Sequence, residues 1–398
     1  MTPAARLSAA ADILDTLDYS RLVDPQLKGW ARRNRFAGSG DRRAIADRVY
    51  TCLRMRRSCS VLGNGTSGRA LVLGSLVTDE SFSIDEIAVL CTGGYGLEAL
   101  TDKERSSLQT SLPPVSDAER LDWPDWLIEQ ARSVFGERTG KELNALRYRA
   151  PLDVRVNTLK TTIKNAQNAL EGEGFEVQAV PLCETALRLP FSTRIVGTAA
   201  WHDGLIEPQD AASQAVALFS KAKPGEKVLD YCAGAGGKTV ALAAMMQNQG
   251  VLLAHDVDAK RMTDLLDRAK KCGATVIRLK TQAQISESAC DTVLVDAPCS
   301  GSGSWRRDPL GKWRLTPERL DALHMSQREA LENAARFVKV GGLLTYATCS
   351  ILPSENREQV AWFAEQHPEF VLEDTLNLWP ARDDCDGFFA ARFRRIEK

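Results

Sequence analysis

The 398-residue chain has no Cys-x-x-Cys pair, and its four histidines (His202, His255, His324 and His367) share no metal-ligand spacing. Those absences argue against a structural zinc or a disulfide framework, and no metal site is predicted. No apolar run approaches the roughly 20 residues that span a bilayer. The opening Met1-Thr-Pro-Ala-Ala-Arg6 lacks the apolar stretch of a signal peptide, so no membrane association is expected. Ten cysteines scattered without a framework fit reduced thiols and a cytoplasmic location. Net charge is also missing: 51 Lys and Arg against 52 Asp and Glu leave a formal −1, which gives no global sign of a polyanionic partner. A monomer is the default expectation.

What the chain does have is uneven. Ten Lys/Arg stand against two Asp between Lys28 and Arg57. Such a run is read either as a solvated helix face or, from the helical spacing of Arg42, Arg43, Arg48, Arg54 and Arg57 with Trp30 and Phe36 nearby, as a phosphate-contacting surface. Apolar residues make up 44% of the chain and charged residues 26%, the balance of a protein with a proper core, and the length suits two or three domains. Residues 1–112 read as an all-helical domain. Leu7, Ala10, Ile13, Leu14 and Leu17 recur at helical period, as do Ala44, Ala46, Val49, Tyr50 and Leu53. Ser39 or Asp41 is expected to cap the second of these helices, and Pro113-Pro114 marks a linker. Between 120 and 200 the pattern alternates (helix 126–135, strand 152–157, helix 163–170, strand 175–180), which predicts a small α/β unit. From 201 to 398 strands at 228–230, 251–255, 276–279, 292–295 and 343–347 predict a parallel sheet, the doubly wound α/β class whose ligands sit at the carboxyl ends of the strands.

Three tracts carry chemistry. In Val228-Leu-Asp-Tyr-Cys-Ala-Gly-Ala-Gly-Gly-Lys-Thr239 a buried strand ends in Asp230 and a glycine-rich turn opens a helix, so that backbone can approach a ligand closely. A nucleotide phosphate loop needs a glycine five residues before Gly237, and Cys232 stands there, which weakens a nucleotide-hydrolase reading. A methyl-donor or dinucleotide loop also asks for an acid at the end of the next strand to accept ribose hydroxyls, and Asp256 occupies that place; a helix cap is the plainer reading of the same residue. The other two tracts are Asp296-Ala-Pro-Cys-Ser-Gly-Ser-Gly303 and Gly341-Gly-Leu-Leu-Thr-Tyr-Ala-Thr-Cys-Ser350, which set Cys299 and Cys349 just beyond two strand ends. A lone cysteine is usually a small buried hydrophobe, which suits Cys52, Cys91, Cys183, Cys272 and Cys290. Two at the rim of one sheet are harder to read that way.

These tracts closely resemble the RsmB/NOP/Sun family of RNA cytosine-5 methyltransferases, bacterial ribosomal RNA type. Further matches are Arg155-Val-Asn-Thr-Leu-Lys160, Glu207-Pro-Gln-Asp210, Ala347-Thr-Cys-Ser-Ile-Leu-Pro-Ser-Glu-Asn356 and Asp386-Gly-Phe-Phe-Ala390, all in order from about 120 onward. The resemblance implies a helical NusB-like RNA-binding domain (1–112), an RRM-like α/β extension (120–200) and a Rossmann-like S-adenosylmethionine-dependent methyltransferase domain (201–398). It implies Cys349 as the nucleophile that adds to carbon 6 of cytosine and Cys299 as the residue that assists release. Asp296 would act near N3, and Lys238 would orient the base or lower a cysteine pKa. Cofactor binding would fall to Cys232, Ala233, Gly234, Ala235, Gly236, Gly237, Lys238, Asp256 and Asp296. RNA contact would fall to Arg155 and Asn157 and, in Trp305-Arg-Arg-Asp-Pro-Leu-Gly-Lys-Trp-Arg314, to Arg306, Arg307 and Lys312 beside two tryptophans. A polar strand face explains the first pair equally well, and a loop of buried tryptophans the second tract. The expected substrate is small-subunit ribosomal RNA, with transfer RNA or a non-catalytic assembly factor as alternatives. One departure stands out: relatives follow the third strand with Gly-Asp, where this chain has Arg278-Leu-Lys-Thr-Gln-Ala283, so that Thr281 or Gln282 would replace the acid that meets the adenine amino group.

Overall fold

The structure is a computed structural model that describes residues 1–79, 82–109 and 116–397. The expected linker at Pro113-Pro114 lies outside the described residues. The chain divides into two compact units: Met1–Arg149 with Trp305–Leu315, and Ala150–Ser304 with Thr316–Lys398.

Among its described residues the first unit is helical. The helix Pro3–Thr16 starts where Thr2 Oγ1 accepts the Ala5 N–H at 3.1 Å and proline occupies the first turn, and it buries Leu7, Ala10, Ile13 and Leu14. The helix Ser39–Arg54 is capped at Gly38, one residue before the expected Ser39. Asp41 sits in its first turn, accepting the Gly38 N–H at 3.0 Å and pairing with the Met1 ammonium and Arg6. The inserted segment 305–315 belongs to this unit's interior. Leu310 is fully buried in the core that holds Val49 and Leu53, and Trp305 tilts against Trp123 with ring centroids 4.8 Å apart. This unit also takes in the helices Ile128–Phe135 and Thr139–Ala145, so the helical part runs past the boundary read near 112.

The second unit carries two sheets. The smaller has strands β1 (Leu152–Val156), β2 (Gln178–Ala179), β3 (Ala186–Leu189) and β4 (Ile206–Pro208), in the antiparallel order β2-β3-β1-β4, with the helix Ile163–Gly172 packed on it. The larger comprises β5 (Lys227–Asp230), β6 (Val251–Ala254), β7 (Ile277–Leu279), β8 (Cys290–Asp296), β9 (Val338–Thr348), β10 (Phe370–Leu378) and β11 (Phe388–Arg395). Their order is β10-β11-β9-β8-β5-β6-β7; the five from β9 to β7 are parallel, and β10 and β11 run antiparallel at one edge. The five parallel strands are those the apolar runs predict. Strands β3 and β4 escape the pattern because they are short, β10 because it is exposed along most of its length, and β11 because its first six residues are all buried and show no alternation.

Alternation builds a layer on each face of the large sheet. Val228 and Leu294 join the cluster of Val240, Leu242 and Leu265, whereas Leu229, Val293 and Val295 join that of Leu331, Phe363 and Phe393. The chain order reverses at β5: β6 and β7 lie to one side, β8 and β9 to the other. Such a switch point opens a crevice above the strand ends, and Asp230 and Asp296 terminate the two strands that flank it.

Candidate active site

The turn after β5 is shaped by its glycines. Gly234 (φ +50°) and Gly236 (φ +82°) adopt the left-handed region, and a Cβ on Gly236 would meet Leu265 Cγ at 2.6 Å. Gly236 caps the helix Gly237–Met245. The loop is pinned to the next strand: Ala233 N–H donates to His255 O at 2.8 Å and Gly234 N–H to Asp256 Oδ2 at 2.9 Å. Asp256 is buried, and its oxygens also accept the Asp258 N–H and face Arg261 at 3.2 Å. Ala235 O accepts from Arg268 at 2.7 Å. Cys232 is half-buried in this loop, and burial pushes its thiol up. Asp230 is fully enclosed; Thr239 Oγ1 donates to its Oδ2 at 2.7 Å, while its Oδ1 is buried without a hydrogen-bond partner. Burial lifts this carboxyl to about 7, against the Thr239 hydrogen bond.

Buried Lys238 pairs with half-buried Asp296, Nζ to Oδ2 at 2.8 Å, with Nζ also 5.0 Å from the centre of the Phe388 ring. Burial alone would lower the lysine; the charge and hydrogen bond of Asp296 outweigh it and hold the ammonium above its ordinary pKa. Beside this pair lie the two cysteines, sulfur to sulfur at 3.5 Å and half-buried. That spacing is a thiol hydrogen bond, well beyond the roughly 2.05 Å of a disulfide. The sharing is unequal. Cys349 is held below its ordinary value by the hydrogen bond from Cys299, with Lys238 and Ser304 helping against burial and Asp296. Cys299 is pushed well above its own by that hydrogen bond, burial and the charges of Cys349 and Glu355.

The two cysteine loops are held at close range by the segments around them. Gly303 N–H donates to Cys349 O at 3.0 Å, and Gly387 N–H to Gly303 O at 2.9 Å. A Cβ on Gly303 would meet Gly387 O at 2.0 Å, which is why the Asp386-Gly-Phe-Phe tract comes so near and brings Phe388 under Lys238. Glu355, Ser300, Ser350 and Asn356 form a buried polar network beneath both loops. The Ser-Glu-Asn string that holds Glu355 lies within a quoted motif, but nothing in a linear string says that its carboxylate reaches Ser300.

Of the five residues expected at the RNA, the structure buries four and leaves Arg307 exposed. Arg306 and Lys312 are 4% and 3% exposed, interior to the first unit; Lys312 Nζ donates to Arg54 O at 2.9 Å and Trp313 Nε1 to Leu53 O at 2.7 Å. A buried side chain cannot reach a phosphate. Burial also drops Lys312 to about 7, against the charge of Asp122. Arg307 is exposed. Arg155 and Asn157 are likewise interior: Arg155 Nε donates to Gln209 at 2.8 Å, and Asn157 Nδ2 to the carbonyls of Gly204 and Cys272, both at 2.8 Å. They stitch the small sheet to neighbouring loops. The basic run divides. Arg54 is buried and Arg57 pairs with Asp125 and Glu119, but Lys28, Arg32, Arg35 and Arg42 are exposed along a groove of about 760 Å³. Its acid, Asp24, accepts from Tyr50 OH. At the third strand, Gln282 Nε2 donates to Asn333 Oδ1 at 3.0 Å and Thr281 caps a short turn. Among the described residues no group of three or more His, Cys, Asp or Glu is arranged to hold a metal, and no helix is long and apolar enough to cross a membrane.

Two family models match the chain: 16S rRNA methyltransferase RsmB/F over residues 217–394, and an RsmF/B-like ferredoxin-like domain over 123–195. Ribosomal RNA small subunit methyltransferase B of Salmonella paratyphi A is 32% identical over 290 residues, 70% of this chain and 67% of that one. Among solved structures, that of PH0851 is 27% identical with a TM-score of 0.79 over 99% of both chains. A methyltransferase homolog protein from Pyrococcus horikoshii is 28% identical with a TM-score of 0.63, over 70% of this chain and 98% of that one.

Proposed function

The chain belongs to the 16S rRNA methyltransferase RsmB/F family, and we propose that it methylates carbon 5 of a cytosine in small-subunit ribosomal RNA through a covalent Cys349–cytosine adduct. The observation that carries this reading is the unequal cysteine pair 3.5 Å apart beside the Lys238–Asp296 ion pair. Carbon 5 of cytosine is a poor nucleophile until a thiolate adds at carbon 6, and splitting one hard step into two easier ones is what a covalent intermediate achieves. Cys349 has the lower thiol pKa of the pair, so it is the sulfur poised to form the S–C6 bond. Asp296, steadied by Lys238, would hydrogen-bond the base near N3 as electron density moves onto the ring. On release, carbon 5 gives its proton to water, the C5–C6 double bond re-forms and the S–C6 bond breaks; Cys299 S–H then hydrogen-bonds the departing Cys349 thiolate.

S-adenosylmethionine, when bound, supplies the electrophilic methyl group. The loop 232–237 fits such a ligand through its left-handed glycines, Asp256 through carboxylate oxygens for ribose hydroxyls, and Asp230 through a buried oxygen that lacks a donor. Gln282, its amide nitrogen engaged by Asn333, would offer its carbonyl oxygen to the adenine amino group in place of the usual acid. The target base must leave its stack to reach the cysteines, so flippable or single-stranded RNA is the expected form. The exposed cations of Lys28, Arg32, Arg35 and Arg42 would take its phosphates. Ten free thiols suit a reducing compartment such as the cytoplasm.

The test is a trap. Cys299→Ala protein is incubated with labelled S-adenosylmethionine and total cellular RNA, and a denaturant-resistant protein–RNA adduct is sought. A labelled adduct that vanishes when Cys349→Ala is added supports the reading, and sequencing the trapped fragment names the RNA, transfer RNA included. No adduct and no methyl transfer by the unaltered protein on any RNA would leave a non-catalytic RNA-binding factor on this fold.

A further inference from the structure

We infer that Glu355 is a positioning residue that bridges the two cysteine loops and, by its place on the Cys299 side, decides which of the two sulfurs carries the proton. The inference rests on the cysteine chemistry proposed above. Glu355 is fully buried at the end of the turn Pro353–Glu355. Its Oε1 accepts the Ser300 N–H at 2.7 Å and Gln327 Nε2 at 3.0 Å; its Oε2 accepts the hydroxyls of Ser300 and Ser350. Ser300 follows Cys299 in the chain and Ser350 follows Cys349, so one carboxylate holds the residue after each sulfur.

The surrounding bonds make the bridge stiff. Asn356 grips both neighbours of Cys349, accepting from Thr348 Oγ1 at 2.5 Å and donating to Ser350 O at 2.8 Å. Ser302 Oγ meets Ser350 Oγ at 2.9 Å and accepts the Ile351 N–H at 2.9 Å. Gln327 ties the carboxylate to Pro298 O at 3.0 Å, on the other side of Cys299. The residues on both sides of both cysteines are therefore held by one network with Glu355 at its centre.

A simple scaffold would not require a charge. The four donors that Ser300, Ser350 and Gln327 aim at Glu355 are neutral, so hydrogen bonds stabilise the buried carboxylate. Glu355 takes two bonds from Ser300, the backbone N–H next to Cys299 among them, and one from the Ser350 hydroxyl, so its charge bears more on Cys299, whereas Lys238 favours an anion on Cys349. The charged groups that face the pair thus oppose each other in a fixed direction: Glu355 keeps the proton on Cys299, and Lys238 draws the charge to Cys349, with Asp296 partly offsetting Lys238. A glutamine at 355 would offer one acceptor oxygen in place of two and present its own donors to Ser300 or Ser350.

The measurement is alkylation of the full-length protein by iodoacetamide from pH 6 to pH 10, with Cys299 and Cys349 followed separately by mass spectrometry. In the unaltered protein Cys349 should react at lower pH than Cys299. In Glu355→Gln the Cys299 midpoint should fall by about one pH unit and Cys349 modification at pH 7 should slow about tenfold. Ser350→Ala keeps the charge and cuts one arm; Cys349 modification should slow while the Cys299 midpoint stays, and methyl transfer should lose kcat with KM for RNA unchanged. A folded Glu355→Gln protein with both profiles unmoved overturns the inference. Should that variant fail to fold, unchanged profiles in both Ser350→Ala and Ser300→Ala overturn it equally. The profiles need no RNA, so an unaltered protein that methylates nothing defeats the proposed function while the alkylation result still decides Glu355.

Discussion

Lys238 and Lys312 are two lysines that follow chemically loaded tracts, and both are almost entirely withdrawn from water, at 8% and 3% exposure. Their environments differ by one carboxylate. Lys238 has Asp296 at 2.8 Å and is held above its ordinary pKa; Lys312 donates to a backbone carbonyl at 2.9 Å, lies 4.7 Å from the centre of the Trp313 ring and drops to about 7. Desolvation is a cost common to both, and the partner decides the sign of the net shift. The same contrast separates the regions. Around Lys238 the second unit collects titratable groups at strand ends, where backbone cannot cover them. Around Lys312 the first unit uses tryptophan, leucine and the methylenes of a lysine as packing, with the charge as a burden.

The largest expected effect tests the first of these regions. Cys349→Ala should lower methyl transfer by at least about 10³-fold in a labelled-methyl assay, because it removes the bond-forming atom. Lys238→Met should cost about 10²-fold in kcat at neutral pH, with Asp296 left without its cation; full retained activity would break the contrast with Lys312.

For Lys312→Met the direction reverses. The folded-state pKa of about 7 lies below an unfolded value of roughly 10.4, so the unfolded chain binds more protons between those limits and stability rises with pH across that window. The penalty of the buried cation is complete below about pH 7 and gone above about pH 10. The Met variant should therefore be more stable than the unaltered protein at pH 6 by about 1–2 kcal/mol, with the gap closing by pH 10, as read by denaturant melts at both pH values. An equal gap at the two pH values would show that Lys312 is not the cation in question. Methyl transfer should stay within about twofold.

Two smaller effects sharpen the picture. Replacing Arg32, Arg35 and Arg42 together by Ala should weaken RNA binding about tenfold near 0.15 M salt and flatten the plot of log affinity against log salt by about one per lost phosphate contact. An unchanged slope would take the groove out of RNA contact. Gln282→Ala should weaken S-adenosylmethionine binding only a few-fold, one neutral hydrogen bond's worth, measurable by calorimetry; no change would relieve Gln282 of the adenine.

Much of the candidate site is legible in the linear chain because its parts are local: a strand, a tight turn and a reactive residue within a dozen positions. Asp230, Gly236, Lys238, Asp296, Cys299 and Cys349 all lie at or just past the ends of apolar strands, and parallel pairing aligns those ends. The burial of Arg155, Asn157, Arg306 and Lys312 was hidden for the opposite reason. A polar residue in a motif reads as exposed, and only long-range partners such as Gly204, Cys272 and Arg54 withdraw it from solvent. Strands β10 and β11 escaped because an edge hairpin with a mostly exposed outer strand has no apolar alternation to announce it.

By itself the sequence determined the helical first part, the five parallel strands with their order of motifs, the two cysteines at the strand ends and the glycines that shape the first turn, because hydrophobic period and backbone freedom act over a few residues. Only the tertiary structure decided that two cysteines 50 positions apart lie 3.5 Å from each other, that Glu355 reaches Ser300, and that 305–315 packs with the helical unit, burying Arg306, Leu310 and Lys312. Burial and partner choice are set by what distant chain packs alongside, and no local pattern carries that information.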